Sequence, residues 1–492
     1  MASYLPQSKQ HESEHLEMPC KDDLESPDSD KAAEPVSTNG YVPDTEEEKK
    51  LVRKIDMYLL PMIFLMYLWS YMDRTNIGNA KVAGMTADLG MDSNQYSVTL
   101  VVFFVGYVVF EVPSNPAKLT IDRSMVLART RPSRFLPTIM FLWGCVTVGM
   151  AFIHSYEALV GLRVVVGILE AGFAPGVLLT LSSWYKKAEQ SKRFAVYISA
   201  AILSGAFGGL LGGAITEGLE GAHGLRGWRW LFIVEGVFLS TGTAAVSILA
   251  GFILLDFPAN TKKFSARERE LAIQRLLHDN DAQDSEDQHT PSHLEALKLA
   301  LGNWRTWIFV VGYMAIVGSS TLSYFYPTLV QGLGYTSHMA QYMTIPIYVA
   351  AFVCTAVTGY FMDRIPQKRG LVLGCWMTVA MLCSVVICAV YSLKARYALL
   401  VIMASGLWAS NGLALSYTSS SFSGASKEVR AITLAFVNAM GNLAQIYGAY
   451  LFPSKDAPKY LMGFGVISGL CFTGVLAYIA LHIVLRKWPI KR

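Results

Sequence analysis

The feature that most constrains this chain is a series of twelve apolar runs, each long enough to cross a lipid bilayer. A spanning helix needs about 20 mostly apolar residues, and its backbone polar groups must bond within the segment because hydrocarbon offers no partners. The sequence therefore predicts an all-α membrane protein with twelve transmembrane helices. The runs of the first half are 55–83, 96–115, 135–153, 156–183, 192–216 and 229–255, and those of the second half are 304–329, 341–362, 370–391, 397–421, 429–452 and 460–485.

The twelve runs form two groups of six around a polar stretch, which is typical of transporters built from duplicated halves. Glu, Asp, Ser and Pro dominate the residues before the first run, and such a segment buries too little apolar surface to fold. The predicted parts are a disordered acidic cytosolic tail (1–50), an N-terminal half (51–255), a cytosolic linker (256–303), a C-terminal half (304–486) and a short cytosolic tail (487–492).

The linker contains two helix-start signals. Ser265 with Glu268, and Ser292 with Glu295, have the three-residue spacing of a capping box, in which side chains satisfy the first free backbone N–H groups. We therefore expect two short amphipathic helices that tether the halves, separated by a mobile acidic segment over 279–290.

Composition and charge exclude a soluble enzyme and a nucleic-acid-binding protein. Apolar residues make up 53% of the chain and charged residues only 16%, whereas soluble chains carry about 25% charged residues. The net charge is +4, and the basic residues flank the apolar runs. Predicted inner flanks and loops hold 29 Lys and Arg, whereas outer loops, to which we assign Lys81, hold 7. This bias predicts cytosolic termini.

Charged residues inside the spans are the informative ones, because each costs at least about 2.5–3.5 kcal/mol at mid-bilayer. Asp73 and Arg74 lie in the first helix, and Arg163 and Glu170 lie seven residues apart on one face of the fourth, at similar depth. Arginines in a water-filled cavity would bind an anion, and a carboxylate beside them could load and release a proton. The alternative is that Asp73–Arg74 and Arg163–Glu170 are ion pairs that hold the half together.

Other polar residues of the spans complete the candidate set. Glu111 and Glu235 lie nearer the ends of their helices, where we expect a structural role. The second half offers amides and phenols in place of central charges. Its candidates, together with an amide from the first helix, are the substrate-binding residues Asn76, Tyr324, Asn411, Asn438 and Asn442. Gly205, Gly209 and Gly213 form a GxxxGxxxG face on the fifth helix, which permits close helix packing.

Several motifs resemble the major facilitator superfamily. The fourth helix carries Arg163-xxx-Gly167-xxx-Ala171-Gly172, and the loop between the eighth and ninth helices carries Gly359-Tyr-Phe-Met-Asp363-Arg364 followed by Arg369. Five further segments are similar to the fungal allantoate permease group of the anion:cation symporters. These are Asp73-Arg-Thr-Asn-Ile-Gly-Asn-Ala80, Glu111-Val-Pro-Ser-Asn115, Arg131-Pro-Ser-Arg134, Gly227-Trp-Arg-Trp230 and Asp456-Ala-Pro-Lys-Tyr460.

This resemblance, over about 50–490, implies the major facilitator fold and a proton-coupled carrier of organic anions such as carboxylates and small vitamins. D-galactonate transporters of the wider family have the same Asp-Arg and Arg-Glu pairs. By that resemblance Asp73 and Glu170 are the proton sites, while Arg74 and Arg163 serve substrate and coupling. The resemblance also gives a gating or structural role to the loop residues Gly359, Asp363, Arg364 and Arg369. The segment 116–130 is longer than usual for the family by roughly eight residues.

We therefore expect a secondary transporter of a small organic anion, working as a proton symporter by alternating access. The alternative is an exporter of a pathway product on the same fold. There is no P-loop and no HExxH pair, which argues against an ATP-driven pump and a metalloenzyme, and no cofactor is expected. We expect a monomer in the plasma membrane whose partners are the anion, protons and the bilayer.

Overall fold

The computed structural model of the chain describes six segments, and each secondary-structure element in them is helical. The predicted tail up to residue 40 and the segment 116–130 lie outside these residues. The described segments are 41–114, 132–237, 255–258, 261, 263–284 and 292–488.

Twelve helical segments follow one another where the apolar runs predict them. In the first half they are α1 (Glu46–Val82), α2 (Ser93–Ser114), α3 (Pro132–Met150), α4 (Tyr156–Glu170 and Phe173–Ser182), α5 (Lys187–Gly218) and α6 (Gly227–Val237). In the second half they are α7 (Trp304–Ser320 and Tyr326–Gly332), α8 (Ser337–Tyr342 and Ile345–Arg364), α9 (Arg369–Ala389), α10 (Leu393–Ser421), α11 (Lys427–Gly448) and α12 (Leu461–Lys487).

Nine of the helices in the described residues are long and apolar enough to cross a membrane, and α1, α6 and α11 complete the order. The predicted fold class, an all-α membrane protein, is confirmed. The sixth apolar run was expected to reach residue 255, and its part over 238–254 lies outside the described residues.

Helix α1 begins at Glu46, inside the range expected to be a disordered tail. Thr45 caps it by accepting a hydrogen bond from the backbone N–H of Glu48. At 1.5 Å per residue the 37 residues of α1 span roughly 55 Å, which exceeds a hydrocarbon core of about 30 Å. Its first turns therefore project beyond the bilayer.

A buried arginine joins these first turns to the linker. Arg275, on the linker helix Ala266–Asp284, has no exposed surface. Its guanidinium donates to Glu48 on α1 at 3.0 Å and to Glu189 on α5 at 2.6 Å. We call this end of the bundle, where α1 begins and α12 ends, the terminal face, and the opposite end the far face. Arg275 thus ties the first linker helix to the first half.

Glu48 also pairs with Lys186, and at neutral pH both side chains of this pair are charged. Burial raises the pKa of Glu48, but hydrogen bonds from Lys186 and Tyr41 outweigh it and leave the pKa below its ordinary value. Burial lowers the pKa of Lys186, but its contacts with Glu48 and Tyr41 raise it above its ordinary value. The stability contributed by Glu48 is therefore present above its unfolded pKa and lost as pH falls through the folded one. That of Lys186 is lost only as pH rises through its raised pKa.

The second linker helix, His293–Gly302, belongs to the other half. Its Ala296 and Ala300 are buried against Val429 and Ile432 of α11. The next helix begins immediately afterwards, and Arg305 donates to the carbonyl oxygen of Trp488 beyond α12 at 2.9 Å. The two linker helices are therefore attached to different halves.

The two halves contact each other through helices at the far face. The glycine face of α5 packs against the start of α8, as its spacing allows. Hydrogen bonds across the same junction join Ser97 on α2 to the Ala449 carbonyl oxygen at 2.8 Å, and Ser337 to the Val82 carbonyl oxygen at 3.0 Å. This junction closes the far end of the interface between the halves.

We predict that Gly209→Ala loosens this junction. A Cβ at Gly209 would collide with the Thr344 side chain and lie 2.8 Å from the Gln341 carbonyl oxygen, which cannot rotate away. Overpacking of this kind costs roughly 1–3 kcal/mol. We expect a reporter cysteine at Ser97 to react faster with an impermeant maleimide applied to the far side.

The matched control is Gly218→Ala on the same helix, because a Cβ there would meet no atom within 4 Å. Variants that keep Ser97 give the background from native cysteines. Equal reporter rates in the Gly209 and Gly218 variants would show that the junction accommodates the methyl group without parting.

Candidate functional site

The charged residues of α1 and α4 meet in the interior of the first half. Glu170, the last residue of the first segment of α4, has no exposed surface. Its Oε1 atom accepts hydrogen bonds from Arg74 Nε and Ser70 Oγ, both at 2.6 Å. A carboxylate and a guanidinium thus form a buried ion pair between two helices, supported by a hydroxyl group.

Aromatic rings surround the Arg74 guanidinium. Its carbon lies 4.8 Å from the ring centre of Tyr107, 5.5 Å from that of Phe103 and 5.6 Å from that of Tyr71. Cation–π contacts in a dry site contribute up to about 2 kcal/mol. Arg74 is therefore held by its own surroundings as well as by Glu170.

Arg163 differs from Arg74 in having unsatisfied donors. Its exposed fraction is 3%, and its Nε and Nη2 atoms have no hydrogen-bond partner among the described residues. The charged group that acts most strongly on it is the carboxylate of Asp73, which is also 3% exposed. The site thus contains one arginine that is paired and one with free hydrogen-bonding capacity.

The ion pairs considered from the sequence, Asp73–Arg74 and Arg163–Glu170, are wrong. The structure pairs Arg74 with Glu170, and Asp73 lies close enough to Arg163 for their charges to interact. Adjacent residues on a helix point about 100° apart, so Asp73 and Arg74 cannot face one another. Residues seven apart share a face but lie about 10 Å apart along the axis, too far for a contact between Arg163 and Glu170.

The second half contributes a phenol and amides to this centre. Tyr324 is 4% exposed and lies close enough to Arg74 and Arg163 to interact with both charges. Its hydroxyl donates to Gln445 Oε1 at 3.1 Å, and Gln445 Nε2 donates to Asn442 Oδ1 at 3.4 Å. The chain from Tyr324 to Asn442 brings predicted residues together, through a glutamine absent from the predicted set.

The remaining predicted amides make no hydrogen bond with this chain in the described residues. Asn411 accepts a hydrogen bond from Tyr313 at 3.2 Å, and Asn438 is half-buried one turn before Asn442 on α11. Asn76 has no exposed surface, and neither amide atom has a hydrogen-bond partner in the described part of the chain. Asn76 is thus a second buried group with unused hydrogen-bonding capacity.

The two carboxylates expected to be structural occupy different places. Glu235 on α6 is 1% exposed, interacts electrostatically with Asp73, and neither of its oxygens has a hydrogen-bond partner among described residues. It therefore faces the charged centre. Glu111 lies three residues before the end of α2.

The motif residues of the loop between α8 and α9 lie at the terminal face, away from the charged centre. Gly359, Asp363 and Arg364 end α8, and Arg369 begins α9. Arg369 Nη2 lies 3.8 Å from Asp363 Oδ1, and Arg364 donates to the hydroxyl of Tyr360. The first contact joins two successive helices of the second half, and the second lies within α8.

Besides Gln445, two residues outside the predicted set lie at or near the centre. Ser70 lies one turn before Arg74, and a hydroxyl in an otherwise apolar run was the available signal. Lys81 was assigned to an outer loop, but it belongs to the last turn of α1. Its ammonium lies over the ring of Tyr96 on α2, 4.2 Å from the ring centre.

Comparison with known proteins gives a consistent picture. Residues 63–449 match the family model described as Major Facilitator Superfamily. Over 463 residues the chain is 34% identical to the MFS transporter prlL of Fungal sp. (strain NRRL 50135), covering 92% of this chain and 88% of the relative. It is 32% identical to the MFS-type transporter cnsO of Penicillium expansum, covering 90% and 84% of the two chains.

A further relative is the major facilitator-type transporter hxnP of Emericella nidulans, 30% identical with 89% and 84% of the two chains covered. Among solved structures, the fold is similar to a bacterial homolog of the human lysosomal transporter Spinster in an inward-facing, unoccupied conformation. The TM-score is 0.67 at 15% identity, with 88% of this chain and 97% of that chain covered.

We predict that Ser70→Ala destabilises the site more than removal of an equally buried hydroxyl elsewhere. The Ser70 hydroxyl bonds a buried carboxylate, and a hydrogen bond to a charged group is worth roughly 1.5–3 kcal/mol. Thermal unfolding of the purified chain measures the loss. The control is Ser204→Ala on α5, because that residue has no exposed surface and, among the described residues, its hydroxyl bonds only the Ala201 carbonyl of its own helix. Equal losses would contradict the prediction.

Proposed function

From the premise that the chain belongs to the Major Facilitator Superfamily, we propose that it carries a small organic anion together with protons by alternating access. The protein is a transporter and not an enzyme. What we propose beyond this is the class of substrate, the coupling ion and which face of the protein is cytosolic.

The observation that carries the proposal is the unsatisfied guanidinium of Arg163. Each buried donor left without a partner costs roughly 1–3 kcal/mol, and Arg163 has two among the described residues. A carboxylate satisfies two guanidinium N–H groups at once through parallel hydrogen bonds. Arg163 lies close enough to Tyr324 of the second half for the two side chains to interact. A bound anion would therefore contact both halves.

Proton coupling follows from the carboxylates that face the arginines. When Asp73 is ionised, its negative charge interacts with the Arg163 guanidinium and competes with a substrate carboxylate for that interaction. When Asp73 takes up a proton, Arg163 becomes available to the anion. Glu170 stands in the same relation to Arg74 through their ion pair. Proton uptake and anion binding would thus favour each other, as symport requires.

The two halves would recognise different parts of the substrate. The first half supplies the arginines, and the second supplies Tyr324, Asn442 and Asn411. This division suits a molecule with an acidic end and a polar or ring-bearing end. We propose that the terminal face is cytosolic, that the protein resides in the plasma membrane, and that the junction at the far face parts to admit the anion from outside.

The first test is uptake of a panel of labelled carboxylates, carboxylate vitamins and ureides by cells expressing the full chain. We expect uptake of one class of anion to rise as external pH falls and to collapse with a protonophore. Arg163→Gln should abolish it while leaving the protein in the membrane. The matched control is Arg267→Gln, an arginine on the first linker helix whose side chain is 61% exposed.

Uptake that ignores pH would remove the proton from the proposal, and normal flux in the Arg163 variant would remove the anion site. Net export against the proton gradient would favour the alternative of an exporter.

We predict that Glu170→Gln separates exchange from accumulation. The amide keeps a hydrogen-bonding oxygen near Arg74 but cannot ionise, so a proton-sensitive step is lost while the shape remains. Counterflow of the substrate should persist at roughly the wild-type rate, and proton-driven accumulation should fall at least tenfold. Glu157→Gln, an exposed position on the same helix, serves as control. Undiminished accumulation would contradict the assignment of Glu170.

A further inference from the structure

The structure places a third cation of the first half at the interface between the halves. The Lys81 ammonium lies 4.2 Å from the ring centre of Tyr96 in its own half and 5.5 Å from that of Phe325 in the second half. Both rings are 1% exposed. They pack edge to face, with their centres 6.1 Å apart. Lys81 therefore lies at the seam that must part when the far face opens.

No carboxylate balances this cation in the described part of the chain. None of the ion pairs among the described residues involves Lys81, and its ammonium contacts the two aromatic rings instead. A cation in the last turn of a helix gains about 0.3–1 kcal/mol from the helix dipole, which is the alternative explanation for a lysine there. That gain needs no contact with a ring of the other half.

Lys81 also lies on the same face of α1 as Arg74, between the far face and the proposed anion site. It follows Arg74 by seven residues on α1, so the two share a helix face about 10 Å apart along the axis. The ring of Tyr96, over which the ammonium lies, is also close enough to Arg163 to interact with its charge. Moving inward from the far face, an anion would meet Lys81 first and Arg163 next.

We propose that Lys81 is a capture site for the carboxylate of the transported anion, an inference that rests on the proposed function. When the far face opens, the ring of Phe325 leaves with the second half and the ammonium faces the pathway. It binds the carboxylate there and passes it to Arg163. The ligand class is a monocarboxylate, or the carboxylate end of a larger solute.

The test measures association rates with the purified full chain in lipid nanodiscs, by stopped-flow tryptophan fluorescence. The probes are acetate, benzoate and nicotinate, each paired with its neutral amide. Removing a steering charge lowers the association rate and flattens its dependence on salt. For Lys81→Gln we expect a roughly 3- to 10-fold slower association of the carboxylates, a weaker salt dependence and unchanged rates for the amides. Lys81→Arg should keep the wild-type behaviour.

The matched control is Lys459→Gln. Lys459 also lies over a tyrosine ring at the far face, 4.6 Å from the centre of Tyr391, but both residues belong to the second half. It should leave every rate unchanged. Lys81→Met keeps the apolar stem over the rings and repeats the test if the glutamine variant unfolds.

The remaining outcomes separate the two proposals. Wild-type rates in the Lys81→Gln variant, with carboxylate binding lost in Arg163→Gln, would overturn the capture site and leave the proposed function standing. Equal slowing of acids and amides would overturn it too, because it would indicate a purely structural lysine. A wild-type chain that does not distinguish any acid from its amide would overturn the anion carrier itself.

Discussion

The ion pair between Arg74 and Glu170 is the interaction on which the arrangement of the first half depends. Two charges removed from water repay their desolvation only when geometry and supporting hydrogen bonds are good. Ser70 and the surrounding rings supply that support. Because the partners lie on α1 and α4, the pair fixes the rotation of both helices about their axes. That rotation sets which way Asp73 and Arg163 point.

The two arginines have the same charge but different surroundings, and this difference is the basis for the different roles that we propose for them. The Arg74 guanidinium has a carboxylate oxygen at 2.6 Å and contacts three aromatic rings, so its charge is already balanced by groups of the protein. Arg163 keeps two donors without partners among the described residues. A chain gains nothing in stability from such donors, since an apolar residue there would cost less. On the proposed function, these donors are available to a ligand that arrives from outside.

The sequence was sufficient to predict the order of the helices in the described residues, because hydrophobicity and helical period are local properties. The seven-residue spacing correctly placed Arg163 and Glu170 on one face. It could not give their partners, because pairing depends on how α1 and α4 rotate against each other. The contacts of Lys81, which was counted with the outer loops although the first apolar run includes it, could not be predicted for a related reason. The rings that cover its ammonium come from α2 and α7, and residues so distant in sequence leave no local signal at Lys81.

The distribution of charge also bears on how easily the halves can move. In the described residues, each ion pair joins groups of one half, or of the first linker helix and the half it rests on. The far-face junction consists of glycine contacts, hydrogen bonds and the rings around Lys81. Parting it separates no ion pair among the described residues, so the equilibrium between the closed and open states carries no cost of that kind. A ligand shifts such an equilibrium by its difference in affinity for the two states, and an anion held between Arg163 and the second half would supply that difference.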